Sequence, residues 1–166
     1  MSFFYRSQRV GLHGKPIEVL KVRTLKEGTD KTSSFAKDDQ YLWYGKFLRK
    51  TKLDELPQLW TILKGDMALF GYRPMEEREV SFLPDGMKDV LLSSKPGLID
   101  LASIHFFEEE KVLKDLHDPH RVYYEVIRPM KFTLQAFYIE NKCFLLDVAL
   151  AFLAIKKVIG SFFKKV

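Results

Sequence analysis

The spacing of apolar residues changes once along this chain, and that change constrains its fold more than any other feature of the sequence. Strand-forming residues at 3–5 and 16–23 flank the segment Gly11-Leu12-His13-Gly14, which predicts a β-hairpin. Beyond residue 40 the apolar residues mostly recur every three or four positions, as they do on one face of a helix. The 166 residues match the length of about one domain. The chain is therefore predicted to be α+β, a mostly helical single domain over residues 1–166 with a small N-terminal hairpin.

The helical pattern is clearest in one stripe of four apolar residues: Leu56, Leu59, Trp60 and Leu63. Gly65 ends this predicted helix, and Asp54 is placed near its N-cap. Further helices are predicted at 41–48, within 76–93, within 106–117, from 118 through 138, and at 144–163. Loops are predicted at 26–39, 71–74 and 95–97, with an apolar strand between Gly65 and Gly71.

The final predicted helix, 144–163, is apolar on nearly every face and becomes amphipathic toward its basic end. Six apolar residues share one face: Leu145, Val148, Phe152, Ile155, Ile159 and Phe162. We expect residues 144–155 to pack inside and the lysine-rich residues 156–166 to touch anionic lipid headgroups. The alternative is a core stripe that ends in solvated lysines. The longest uninterrupted apolar stretch, Val148–Ile155, has eight residues, whereas a spanning helix needs about 20, so no transmembrane span is predicted.

Positive charge is concentrated in the first part of the chain. Residues 1–64 hold 13 Lys/Arg against 7 Asp/Glu, and residues 65–166 hold 14 against 15. The N-terminal part is therefore expected to face an anionic partner such as phosphate, nucleic acid or lipid headgroups. The single cysteine excludes a disulfide framework and a cysteine-based zinc site. Because Cys143 lies in an apolar run, its thiol is predicted to be buried.

Two adjacent carboxylates, Asp54 and Glu55, follow three cations in the run Arg49-Lys50-Thr51-Lys52. One interpretation is structural, because an aspartate at an N-cap followed by a glutamate caps a helix and complements its dipole. The other is an anion site in which Arg49 and the helix N-terminus hold phosphate, Glu55 binds a divalent cation, and Asp54 is a nucleophile or base. A carboxylate that attacks a diphosphate needs cations to offset repulsion, and this run supplies them.

Two further groups of residues are candidates for ligand contact. Glycines bracket the apolar strand before Tyr72-Arg73-Pro74, so backbone amides and the Arg73 guanidinium can meet a ligand; the alternative is a turn with a solvated arginine. Lys21 and Arg23 alternate with apolar residues and therefore point to one strand face. That face is either solvated or turned toward phosphate.

Taken together, these residues resemble a known family. Two runs carry the resemblance, FLRKTKLDELPQLW from Phe47 to Trp60 and LKGDMALFGYRP from Leu63 to Pro74. Both are similar to the signature of bacterial sugar transferases, in particular the catalytic domain of the monotopic polyprenyl-phosphate phosphoglycosyl transferases. The resemblance continues through residues 4–11, 21–25 and 95–98 and the tail near residues 138–147, so it spans nearly the whole chain.

The resemblance implies a reaction that moves a phosphosugar from a nucleotide sugar, usually a UDP-sugar, to a polyprenyl phosphate and releases the nucleoside monophosphate. By this resemblance Asp54 forms an aspartyl-phosphosugar intermediate, and Glu55 helps to hold Mg²⁺, the implied cofactor. Substrate binding is expected from a set of matched positions: Arg49, Lys21, Arg23, Tyr72, Arg73 and Pro74. The implied pathway is glycan or exopolysaccharide synthesis. The implied location is the cytoplasmic face of the bacterial inner membrane, with the chain bound peripherally.

The chain departs from the family pattern at several positions. Family members carry a membrane-inserted N-terminal helix before the segment that begins here at Phe3, and we expect this chain to lack it. Asp100 stands where a glycine is usual and Phe107 where an arginine is often found, so attraction for the acceptor phosphate is expected to be weakened. One alternative is a catalytically weak or inactive relative that binds a nucleotide sugar, a membrane or a partner glycosyltransferase. A basic nucleic-acid-binding module is the other, and the carboxylates among the cations argue against it.

Overall fold

The first element of the fold is the N-terminal β-hairpin. The structure, a computed structural model, describes residues 2–29, 36–114 and 116–163. Strands β1 (Phe4–Val10) and β2 (Pro16–Val22) pair antiparallel, with Phe4 opposite Val22 and Val10 opposite Pro16. A 3-10 turn at Leu12–Gly14 joins them, and Gly14 has a positive φ of 79° that suits glycine. The predicted hairpin is confirmed.

A second, smaller sheet holds the segment that leads to Arg73. Strand β3 (Ala68–Phe70) pairs parallel with β4 (Gly97–Ile99). The two backbone segments approach closely where Gly97 faces Gly71, since a Cβ on Gly97 would lie 2.1 Å from the Gly71 nitrogen. Only glycine fits there. The strand before Gly71 is confirmed, and the prediction of a loop at Gly97 is wrong, because Gly97 begins β4.

Helices form most of the remainder, as the spacing predicts, and the α+β class is confirmed. The predicted helix within 76–93 is two helices, and the one from residue 118 continues through a π-helical segment, Tyr123–Ile127, into α8. The predicted loop at 26–39 contains residues 30–35, which lie outside the described residues, and ends in a 3-10 turn at Asp38–Gln40. The helix bounds are α1 Gly45–Thr51, α2 Gln58–Leu63, α3 Glu77–Val80, α4 Asp85–Leu92, α5 Leu101–His105, α6 Glu109–Lys114, α7 Pro119–Val122, α8 Arg128–Asn141 and α9 Phe144–Phe163.

The buried core has two parts, one on each side of a large cavity. A small cluster beneath the hairpin joins Ile17, Val19 and Met67. The main cluster packs α4, α5, α8 and α9 together and is built from large side chains: Tyr72, Met75, Val80, Leu83, Leu91, Ile104, Phe132, Tyr138, Ile139 and Leu150. Because Val19 of one cluster and Phe132 of the other both line the cavity, the cavity lies between the hairpin and the helical part.

The apolar faces of α2 and α9 are turned to solvent. In α2 the stripe predicted from helical spacing is exposed, with Leu63 at 79%, while Gln58, Thr61 and Ile62 face the protein. The prediction that residues 144–155 pack inside is wrong, because Leu150 is the only residue of that segment that is buried. All six residues of the α9 stripe are exposed. Residues 164–166, which include two of the predicted headgroup-binding lysines, lie outside the described residues.

Two smaller points concern the same end of the chain. Cys143, predicted to be buried, is exposed at the turn between α8 and α9. That turn is held by the Tyr138 hydroxyl, which donates to the Asp147 carboxylate at 2.6 Å. Among the described helices, none combines the length and apolar character that crossing a bilayer requires.

Candidate active site

Asp54 and Glu55 lie in a 3-10 turn, Leu53–Glu55, that links α1 to α2. α1 ends at Lys52, whose backbone is left-handed (φ 59°, ψ 15°) and whose N–H donates to the Arg49 carbonyl. This conformation costs a residue other than glycine about 1–2 kcal/mol, so the surrounding structure must hold it. The turn brings both carboxylates inside the protein, where Asp54 is 7% and Glu55 8% exposed.

Glu55 is bound by two cations that come from distant parts of the chain. Lys21 Nζ, from β2, donates to Glu55 Oε1 at 3.0 Å, and Arg73 Nη2, from the segment after β3, donates to the same oxygen at 2.9 Å. Burial alone would raise the pKa of the Glu55 carboxyl, but the charges of Arg73, Lys21 and Lys52 outweigh it and hold that pKa well below its ordinary value. Glu55 is therefore ionised at neutral pH.

Asp54 has the opposite environment although it is the next residue. Its Oδ1 is buried and has no hydrogen-bond partner among the described residues. Burial and the charge of Glu55 raise the pKa of the Asp54 carboxyl, against the opposing effects of Lys21, Lys52 and Arg49. The predicted N-cap role is wrong, since Asp54 caps no helix and Pro57 stands at the N-cap of α2. An unpaired carboxylate beside a paired one is what a nucleophile needs.

The carboxylates open into a cavity of about 1010 Å³. The predicted site residues that line it are Lys21, Arg23, Arg49, Asp54, Glu55, Arg73 and Pro74. Tyr72 is the exception, because its side chain is fully buried in the main core and its hydroxyl faces the Val10 carbonyl at 3.4 Å. The prediction of Tyr72 as a substrate-binding side chain is therefore wrong. What Tyr72 does instead is anchor the segment that presents Arg73.

Arg49 and Arg23 approach the cavity beside the segment after β2. Arg49 Nε donates to Thr24 Oγ1 at 3.0 Å, and its guanidinium lies 5.5 Å from the centre of the Tyr41 ring. Arg23 Nε donates to the Ser2 carbonyl at 2.8 Å. Both guanidinium groups are thus held in position on the wall that carries Lys21. This wall therefore presents three cations to the cavity.

Similarity to known proteins extends over nearly the whole chain. The sequence profile described as bacterial sugar transferase matches residues 1–161. The chain belongs to that family. It is 32% identical over 161 residues to the sugar transferase EpsL of Bacillus subtilis. The aligned region covers 95% of this chain and 70% of EpsL.

Other members of the sugar transferase family carry more specific names. The chain is 32% identical over 158 residues, 92% of its length, to a UDP-glucose:undecaprenyl-phosphate glucose-1-phosphate transferase of Klebsiella pneumoniae. It is 35% identical over 121 residues, 62% of its length, to the exopolysaccharide production protein ExoY of Sinorhizobium fredii. The chain spans 32% of the first of these proteins and 53% of the second.

Two of the positions at which this chain departs from the family pattern, Asp100 and Phe107, lie outside the cavity. Asp100 is 2% exposed and caps α5, with its carboxylate accepting from the backbone nitrogens of Ala102 and Ser103 at 3.1 and 2.9 Å. The Asp100 carboxylate is therefore engaged in the fold, while its charge still acts on Arg73 and Lys131 in the cavity wall. Its repulsion of the acceptor phosphate stays a prediction. Phe107 does not line the cavity either; its ring lies 5.7 Å from Lys52 Nζ and 5.9 Å from Lys157 Nζ.

Sequence reasoning missed several cavity residues. Lys52 acts on both carboxylates, and its position between the cations and the dyad was a usable signal. Gln58 is 2% exposed with an unpartnered Nε2, but a glutamine in a helix gives no local signal of a site. The helical wall contributes Lys131, which pairs with Glu109. These two residues are distant in sequence from the dyad, so no spacing rule connects them to it.

The fit of Mg²⁺ follows from the oxygen ligands present. The described residues contain no cluster of three or more His, Cys, Asp or Glu side chains that could hold a metal ion. Asp54 and Glu55 offer carboxylate oxygens, and the buried Asp54 Oδ1 lacks a partner. Magnesium is commonly held by one or two carboxylates together with substrate phosphates and water. The pair therefore fits Mg²⁺ when a phosphorylated substrate completes the ligand set.

Proposed function

We propose that this chain transfers the phosphosugar of a UDP-sugar to a polyprenyl phosphate, releasing UMP, in glycan or exopolysaccharide synthesis. The observation that carries the proposal is the difference between the two carboxylates, because Asp54 is unpaired while Glu55 is fixed by Lys21 and Arg73. Family membership and the names of relatives agree with it.

The reaction consists of two displacements at one phosphorus atom. An Asp54 carboxylate oxygen attacks the phosphorus that bears the sugar, and the bond from that phosphorus to the bridging oxygen breaks, so UMP leaves with the bonding electron pair. An oxygen of the polyprenyl phosphate then attacks the aspartyl-phosphosugar. The bond from phosphorus to the Asp54 oxygen breaks, which regenerates the carboxylate and yields a polyprenyl diphosphate sugar.

The cations on the cavity walls serve this chemistry by position. Attack by an anion on a diphosphate is disfavoured by repulsion, and fixed positive groups lower that barrier. Arg73 and Lys21 bind Glu55 at 2.9 and 3.0 Å and therefore lie beside the nucleophile. Arg49 and Lys52 act electrostatically on Asp54, and both favour its ionised form. Glu55 would help to hold Mg²⁺ together with the substrate diphosphate, and the ion would supply Lewis-acid neutralisation of that diphosphate.

The acceptor suggests where the protein works. A polyprenyl chain stays in the bilayer, since each buried CH₂ is worth about 0.8 kcal/mol, so the cavity must approach the membrane surface. Phe144 (79%), Leu145 (77%) and Phe163 (85%) on α9 and Leu63 (79%) on α2 are largely exposed. We propose that these apolar faces contact lipid at the cytoplasmic face of the bacterial inner membrane, with the chain bound peripherally.

UMP release tests the reaction. The full chain is incubated with Mg²⁺ and a panel of UDP-sugars, with and without undecaprenyl phosphate, and intact mass spectrometry follows the protein. One sugar is expected to give a mass increase of one phosphosugar that disappears when the acceptor is added. Asp54→Asn should abolish both the adduct and UMP release, whereas Asp66→Asn, which changes an exposed carboxylate outside the cavity, should retain them. Turnover by Asp54→Asn would exclude Asp54 as the nucleophile.

A further inference from the structure

A second buried cation lies in the helical wall of the cavity. Arg128, the first residue of α8, is 9% exposed and lines the cavity. Three aromatic rings surround its guanidinium carbon, with ring centres at 4.8 Å for Phe82, 5.3 Å for Phe132 and 5.5 Å for Tyr124. The rings cover the faces of the guanidinium group, which leaves its N–H edge for hydrogen bonds.

The hydrogen bonds of Arg128 are incomplete. Its Nη2 donates one long bond to the Glu79 carbonyl at 3.4 Å, and its buried Nε has no partner. No carboxylate among the described residues forms an ion pair with it. Buried arginines are normally paired, because an uncompensated charge in the interior is costly. Contacts with three rings offset only part of that cost, and the N–H edge of the guanidinium group is left open to an anion.

The position of Arg128 follows from an irregularity in the long helix. Pro129 lacks the N–H that would continue the regular helical pattern, and the preceding five residues are π-helical, with the Arg128 N–H bonded to the Tyr123 carbonyl. Short π segments inside α-helices are frequent at functional sites. As a result Tyr123, Tyr124 and Arg128 all line the cavity.

Arg128 is distinct from the cations at the dyad yet electrostatically connected to them. Burial raises the pKa of the Tyr123 hydroxyl to about 12, and both Arg73 and Arg128 oppose that rise. Tyr123 is therefore within electrostatic reach of both charges, and all three side chains line the same cavity. The rings beside Arg128 reach solvent, with Phe82 60% and Tyr124 46% exposed. A ligand can thus contact apolar rings and the arginine together.

We propose that Arg128 forms a second anion subsite, which binds a negatively charged group carried on an apolar or sugar-like body. Two substrates of the proposed reaction have this chemistry: a donor whose sugar bears a carboxylate, and the phosphate end of a prenyl acceptor. The choice of these probes rests on the proposed function, but the subsite itself rests on the unpaired guanidinium. A free N–H edge among rings that stack on a sugar or an isoprene unit suits either source.

Binding to two matched ligand pairs tests the subsite. The pairs are UDP-glucuronate with UDP-glucose, and a short-chain prenyl phosphate with its alcohol, each titrated calorimetrically into the full chain carrying Asp54→Asn so that no transfer occurs. In one of the two pairs, Arg128→Met is expected to weaken binding of the charged ligand by about 10- to 100-fold, the range for a lost charge-assisted hydrogen bond. The affinity for the uncharged ligand of that pair should not change. The responding pair identifies the source of the anion.

Two controls keep the result interpretable. Arg78→Met removes the same charge from an exposed position on the same cavity and should preserve all four affinities. Arg128→Gln, which removes the charge but keeps a polar side chain, carries the test if the methionine variant does not fold. Unchanged ratios of charged to uncharged binding in both pairs, or an equal effect of Arg78→Met, would overturn the proposal. Failure of UMP release by the parent chain would instead refute the proposed function and leave this binding result intact.

Discussion

Asp54 and Glu55 are adjacent carboxylates, and the structure predicts that neutralising them changes protein stability in opposite directions. Asp54→Asn removes a buried charge whose Oδ1 has no hydrogen-bond partner. Leaving a buried polar group unsatisfied costs about 1–3 kcal/mol. Nearby cations offset part of this cost, and the asparagine amide remains buried, so we expect the free energy of unfolding to rise by about 1 kcal/mol. For a chain of this size that raises Tm by roughly 2–4 °C.

Glu55→Gln is the matched control, because it makes the same chemical change one residue along. It removes the charge that Lys21 and Arg73 both bind and leaves two partly buried cations uncompensated. Breaking a fully buried ion pair on one side costs about 3–5 kcal/mol, but the Arg73 side chain is 38% exposed and solvent screens its charge. We therefore expect a loss of about 2–3 kcal/mol, which lowers Tm by roughly 4–12 °C. The two variants should therefore shift Tm to opposite sides of the parent value at neutral pH.

The pH dependence separates this explanation from a general packing effect. Because the pKa of Asp54 is raised in the folded state, ionisation of Asp54 begins to lower the stability above the ordinary aspartate pKa, and the loss is complete above the raised value. The advantage of Asp54→Asn should vanish below about pH 4, the ordinary aspartate value. The pKa of Glu55 is lowered, so its stabilising contribution is present above about pH 4.3 and is lost as the pH falls through the lowered value.

Thermal and urea unfolding from pH 3 to 8, followed by circular dichroism, measure both effects. Opposite Tm shifts at pH 7 that converge in acid are the expected result. A stability loss in Asp54→Asn at pH 7 would refute the reasoning, because it would mean that the Asp54 carboxylate makes a stabilising contact in the folded chain.

Three further predictions concern the cap, the metal and the membrane. Asp100→Ala should lower the free energy of unfolding by about 0.5–2 kcal/mol, because it removes the α5 cap; unchanged stability would contradict this. UMP release should stop in excess EDTA and return with Mg²⁺, and full activity in EDTA would exclude a metal requirement. The chain should sediment with anionic liposomes, and less of it should do so at high salt. The double variant Phe162→Ser with Phe163→Ser should sediment less than the parent chain, whereas Val112→Ser, which changes an exposed apolar residue on α6, should sediment equally. Equal sedimentation of all three proteins would count against lipid contact.

Local pattern was sufficient for the elements whose partners are near in sequence. The hairpin followed from two short strands around a glycine turn, because neighbouring strands pair through the turn itself. The final helix was predicted over residues 144–163 and has those bounds. The dyad and Arg49 were also found from the sequence, since Arg49 lies within six residues of both carboxylates.

Local pattern failed where burial depended on what an element faces. Helical spacing identifies an apolar stripe on α2 or α9 but does not say whether protein or another medium covers it, and both stripes are exposed. The sequence pattern also does not show that Asp100, a charged residue, is buried. A carboxylate at a position where the family pattern has a glycine suggested repulsion of phosphate, but it is buried as a helix cap.

The sequence by itself determined the class of fold, the hairpin, the pair of carboxylates and the excess of positive charge in the first 64 residues. Only the tertiary structure decided that Glu55 is paired and Asp54 is not, because Lys21 and Arg73 are 34 and 18 positions away from Glu55. It also decided that Tyr72 belongs to the core and that Arg128 reaches the same cavity as the dyad. The physical reason is that burial and pairing set the charge state of a side chain, and both arise from contacts that short-range periodicity does not contain.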